Sequence, residues 1–117
     1  MQIKRINLVD SQGNALSGIE LFLGPTEARI MRLLWDKPRS LKDLHNEMVT
    51  DSNGKALAYS TVHTDLTRLV DKGILRKAKN GSETIYRPIH NNERVFIDAI
   101  LTQLDIALRV NFNKRVR

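Results

Sequence analysis

The 117-residue sequence has no cysteine. That removes disulfides, thiolate metal centres and thiol redox chemistry together, and nothing points to an oxidising compartment. Long hydrophobic runs are missing too: no stretch approaches the roughly 18 apolar residues of a membrane span, and "MQIKRINLVDSQGN" at the N-terminus has no signal-like apolar core. The expectation is a cytoplasmic protein with no membrane partner. Three histidines, His45, His63 and His90, share no i,i+4 spacing and no convergent carboxylates, so no metal site is expected. Nucleophile–base pairs, Gly-rich phosphate loops and paired carboxylates are lacking as well, and the expectation is a protein that is not an enzyme and takes no cofactor. The single tryptophan, Trp35, reads with Met31 as core rather than as a stacking site for a ligand. No internal repeat or low-complexity tract interrupts the chain.

What the chain does have is positive charge. The formal net charge is +6, and it is unevenly placed: eight basic against seven acidic residues up to position 58, eleven against six beyond it. A basic field of this kind attracts polyanions, with nucleic acid the first candidate and an anionic membrane surface the second.

The pattern along the chain divides it into three parts. Residues 1–23 lean to strand, "IKRINLV" and "ALSGIELFL" flanking the turn-rich "DSQGN". The prediction is an N-terminal hairpin arm with Ile6, Leu8, Ile19 and Leu21 facing inward and Gln12 to Asn14 at its tip. Residues 24–90 hold three helical segments and a hairpin. "GPTEARIMRLLW" carries Pro25 in its first turn, Glu27 near the positive end of the dipole and an apolar face of Ile30, Met31, Leu34 and Trp35. Ser40 reads as an N-cap with Asp43 three residues on, opening a helix with Leu41, Leu44 and Met48 on one side. A third helix runs to Gly73, a natural left-handed stop. Two β-prone runs, 74–79 and 84–87, then bracket a turn at Asn80, Gly81 and Ser82. Residues 91–117 form a last helix and basic tail. Asn91 or Asn92 can cap it, and Phe96, Ile100, Leu104 and Leu108 repeat at helical spacing as a candidate dimerisation stripe.

The third helix carries the function. In "LAYSTVHTDLTRLVDKGILRK", residues 57–77, a step of about 100° per residue puts Val62, Leu66, Leu69 and Val70 on one side, with Ser60, Thr64, Arg68 and Asp71 opposite. An ordinary solvated face would use Lys and Glu. Short hydroxyls and a guanidinium suit close contact with base edges and phosphates instead. Helix, helix, helix and basic hairpin is the order of a winged helix-turn-helix, mainly α with a small β wing, in which the third helix enters the major groove and the hairpin reaches the flanking backbone. Lys77 and Lys79 alternate with Arg76 and Ala78, so only one wing face can address that backbone.

Residues 24–90 resemble the penicillinase repressor family, the BlaI and MecI type of winged-helix transcriptional regulators. "LGPTEARIMRLLW" resembles its first helix, "SLKDLHNEM" its second, "LAYSTVHTDLTRLVDKGIL" its recognition helix and "TIYRPI" its closing wing strand. The third piece is the most specific, since every fixed position of A-Y-[ST]-T-V-x-T-x-L-x-R-L-x-x-K-G is met. The resemblance implies a homodimeric repressor on an inverted-repeat operator in double-stranded DNA, with C-terminal helices forming the dimer. It makes Thr61, Thr64 and Arg68 DNA-facing, and with Ser60, Lys77 and Lys79 they complete the candidate DNA site.

The arm before Leu23 has no counterpart in short members of that family, and a single C-terminal helix replaces the usual several. Antibiotic-responsive members are cut at an Asn-Phe bond. Asn111-Phe112 reproduces that dipeptide, but a cut there would remove only the last few residues and leave most of the apolar stripe. The effector is therefore open. So is Arg68, which can pair with Asp65 or Asp71 instead of DNA, and the wing lysines, which are also an ordinary solubility device. The alternative for the whole chain is a winged-helix module that binds a protein.

Overall fold

The computed structural model describes residues 8–9, 13–14, 18–51 and 53–116, with residues 110–116 described through their backbone alone. A 3-10 turn over Gly18–Leu21 leads to helix α1 (Pro25–Asp36), a two-residue strand β1 (Arg39–Ser40), α2 (Leu41–Glu47), α3 (Tyr59–Asp71), the hairpin β2 (Leu75–Asn80) and β3 (Glu83–Pro88), and a long α4 (Glu93–Val116). The sheet is antiparallel in the order β1-β3-β2. No helix among the described residues is long and apolar enough to cross a membrane.

Each helix starts and stops for a local reason. Pro25 opens α1, whose Glu27 carboxylate accepts a hydrogen bond from the Gly24 amide at 3.3 Å. The Asp43 amide donates to Ser40 Oγ at 3.1 Å and caps α2. At the end of α3, Gly73 sits at φ +77, and the Ile74 amide reaches back to the Leu69 carbonyl at 2.9 Å. This left-handed closure turns the chain straight into the wing. The Val95 amide donates to Asn92 Oδ1 at 2.9 Å, which makes Asn92 the cap of α4.

The core is a cluster in which α1 supplies Ala28, Ile30, Met31 and Leu34, α2 Leu44 with Met48 behind it, and α3 Val62, Leu66 and Leu69. Leu75 and Tyr86 close it from the wing, Ile19 and Phe96 from the flanking segments. Each such aliphatic side chain removed from water contributes about 1.5–3 kcal/mol. Trp35 lies half-buried at the margin, its Nε1 donating to the His90 carbonyl at 2.9 Å and its ring 5.9 Å from Phe96.

The structure adds to or departs from the sequence-based expectations in three places. First, Gly18–Leu21 is a 3-10 turn and not the second strand of a hairpin. Strand alternation would put Ile19 and Leu21 on one face; the turn buries Ile19 and leaves Leu21 exposed, and Leu8 is exposed as well. Ile6, Gln12 and most of the expected first strand lie outside the described residues. Second, the short β1 gave no periodic signal: two residues pair with β3, Arg39 with Tyr86 and Ser40 with Ile85. Third, the α4 stripe splits. Phe96, 2% exposed, is core of its own domain and not a partner-facing residue, because its ring packs beside Trp35 of α1 and His90; Ile100 packs at the edge of that core, while Leu104 at 47% and Leu108 at 65% face outward.

Candidate nucleic-acid interface

The apolar side of α3 fixes which residues the other side displays. With Val62, Leu66 and Leu69 fully buried, Ser60, Thr61, Thr64 and Arg68 all project outward together with His63. The N-terminal end of α3 is held from two sides. His45 Nε2 donates to the Leu57 carbonyl at 2.9 Å, and its ring meets Tyr59 edge-on at 5.3 Å. The loop between α2 and α3 is closed on itself by a bridge between Thr50 and Ala56, with Asp51 accepting from the amides of Asn53 and Lys55 and Arg29 bonding the Thr50 carbonyl. The sequence marked this stretch only as the end of a helix.

The wing register determines its two faces. Lys77 lies opposite Tyr86 and Lys79 opposite Thr84, so both lysines share one face, and Lys79 Nζ donates to Thr84 Oγ1 at 3.2 Å. That face turns toward α3. Leu41, His63, Lys77, Ala78, Lys79, Thr84 and Tyr86 line a cleft of about 470 Å³ between helix and wing. Arg76 lies opposite Arg87 on the reverse face, away from the lysines. His63 is the residue that sequence reasoning missed. The sequence offers it only as a candidate metal ligand, and its place beside the wing depends on a packing that no local spacing reports. Among the described residues no cluster of His, Asp or Glu is arranged to hold a metal ion.

Arg68 and Asp65 resolve an ambiguity left by the sequence. Arg68 stays 65% exposed, with Nη1 3.8 Å from Asp65 Oδ1; Asp71 is not among its ion-pair partners. Asp65 itself is 8% exposed and turned toward α1. Burial pushes its carboxyl above the usual value of 3.8, the Glu27 carboxylate pushes in the same direction, and Arg68 and Lys72 pull it back. The acid is thereby withdrawn from the exposed hydroxyl-and-arginine face of α3.

Comparison with known proteins agrees with this geometry. The penicillinase repressor family model matches residues 23–116. The transcriptional regulator BlaI of Mycobacterium tuberculosis is 29% identical over 104 residues, covering 80% of this chain and 73% of that protein. Among solved structures, a transcriptional regulator from Clostridium thermocellum aligns with a TM-score of 0.53 at 14% identity, covering 87% of this chain and 100% of the other. The homodimeric winged helix-turn-helix DNA-binding domain of a possible ArsR-family regulator from Mycobacterium bovis aligns at 0.50 and 17% identity, covering 80% and 78%. These structural likenesses speak for the fold, and the family match extends through the recognition helix, the wing and the last helix: the chain belongs to the penicillinase repressor family of winged-helix transcriptional regulators.

Proposed function

We propose that the protein is a homodimeric repressor that binds an inverted-repeat operator. The observation that carries this reading is the placement of helix and wing: Lys77 and Lys79 of the wing share one cleft with His63 of α3, and the same helix leaves Ser60, Thr61, Thr64 and Arg68 exposed. In such an arrangement Ser60, Thr61, Thr64 and Arg68 meet base edges and adjacent phosphates in the major groove, while Lys77 and Lys79 neutralise backbone beside it. A duplex is the polyanion whose groove admits a helix and whose phosphates lie within reach of a neighbouring hairpin.

The dimer rests on the outward side of α4. Leu101, Leu104 and Leu108 are exposed at helical spacing on a helix that runs on past its own domain, and a second copy of α4 is a natural cover for them. Two recognition helices related by a two-fold axis then read two half-sites on one face of the duplex, about one helical turn or a multiple of it apart.

Duplex binding as a function of salt tests the reading. Backbone neutralisation releases counterions, so affinity should fall steeply and linearly on a log–log plot. Weak, salt-insensitive association with every duplex would instead favour a protein-binding winged helix.

A further inference from the structure

The α1–α3 junction holds two carboxylates, Asp65 and Glu27, and two cations, and their pairing is partitioned. Lys72 Nζ lies 3.8 Å from Glu27 Oε2, an oxygen that is buried and has no hydrogen-bond partner. Arg68 is the ion-pair partner of Asp65. Stability does not account for this acid. A helix ion pair three residues apart contributes little, and an apolar side chain would fill a mostly buried site at lower cost.

The geometry of the pair is specific. Side chains on a helix lean back toward its N-terminus, so Arg68 inclines over the turn that holds Asp65, toward the end of α3 that would enter a groove. At 3.8 Å the contact is an ion pair beyond hydrogen-bond distance, and the guanidinium donors remain available for an external acceptor. Resting on the DNA-binding reading above, we propose that Asp65 is a positioning residue for recognition: it restrains Arg68 from inside the α1–α3 junction and offsets its charge toward stray phosphates, so that Arg68 contributes selectivity more than general affinity.

A double-mutant cycle tests this. The probes are the duplex that the wild-type protein selects from a randomised library and a scrambled duplex of equal length, read by fluorescence anisotropy across a salt series. Asp65→Asn should tighten binding to the scrambled duplex and raise its salt slope by about one counterion. It should also lower the selected-to-scrambled affinity ratio about tenfold, the equivalent of one base contact. In an Arg68→Ala background the same substitution should leave the ratio unchanged. Asp65→Ser runs the same cycle should the amide fail to fit. An equal drop in ratio in both backgrounds would mean that Asp65 acts through the fold, and an unchanged ratio with Arg68 present would mean that it does not act; either overturns the proposal. If wild type selects no sequence, the DNA-binding reading itself falls, whereas selection followed by a failed cycle removes only the role of Asp65.

Discussion

The Ile19 amide donates to Glu93 Oε1 at 3.1 Å across 74 residues of sequence, tying the turn before α1 to the first residue of α4. Arg32 joins the same node from α1, with Nη2 3.1 Å from Glu20 and 3.5 Å from Glu93. Gly18 allows the approach: it sits at φ +59, and a Cβ there would run into the Glu93 carboxylate. Gly18→Ala should therefore cost about 1–2 kcal/mol from the backbone alone, with the steric contact adding to it. Glu93→Ala, which leaves the Ile19 amide without its acceptor, should cost about 1–3 kcal/mol. Glu93→Gln keeps an acceptor oxygen and should cost less than either. Urea denaturation of the three variants gives the order, and a Gly18→Ala protein as stable as wild type would refute it.

Phe96 and Leu104 belong to one sequence stripe and should respond oppositely to substitution. Phe96→Ala opens a void in the core and should cost about 3–5 kcal/mol of fold stability. Leu104→Asp alters a side chain that its own domain leaves 47% exposed; it should leave the domain folded and convert a dimer to a monomer in sedimentation velocity. Wild type already monomeric at micromolar concentration would remove the dimer from the proposed function.

Recognition helix and wing should differ in what they do to specificity. Thr64→Ala and Arg68→Ala should each cost about 1–3 kcal/mol on the selected duplex and little on random DNA. Lys79→Ala should weaken both by similar factors and lower the salt slope by about one. If Arg68→Ala behaves like the lysine variant, Arg68 clamps phosphate and base reading falls to Thr61 and Thr64.

Asp65 gives a stability signature that needs no DNA. Its pKa is raised on folding above 3.8, chiefly by burial and then by Glu27. The proton-bound form is thus favoured in the folded state. Folding is relatively stabilised at pH below 3.8, and that advantage is lost as pH rises through the folded-state value. Asp65→Asn should accordingly be more stable than wild type at neutral pH, and the difference should shrink as pH falls toward 3.8. Thermal melts of both proteins across that range decide the matter, and a gap that widened on acidification would reverse the sign.

The sequence by itself determined the elements whose causes are local. The Ser40 cap, the stop at Gly73, the turn at Gly81 and the two faces of α3 each depend on residues within a few positions of one another, and each lies within a residue or two of where the spacing put it. The exposed hydroxyl-and-arginine face was legible for the same reason: a helix that buries Val62, Leu66 and Leu69 must display Ser60, Thr64 and Arg68. Tertiary structure decided whatever depends on a distant partner. Helical periodicity assigned Phe96 and Leu104 to one stripe, but which part of it is covered depends on where α1 lies. Alternation drew a strand through Ile19, and the Glu93 carboxylate, far along the chain, accepts its amide in a turn. His63 borders the cleft only because the wing folds back beside α3, and Asp65, an acid on a DNA-facing helix by sequence, is withdrawn into the junction with Glu27 because α1 packs there. Pairwise packing between segments remote in sequence leaves no mark on local spacing, and for that reason these positions required the folded chain.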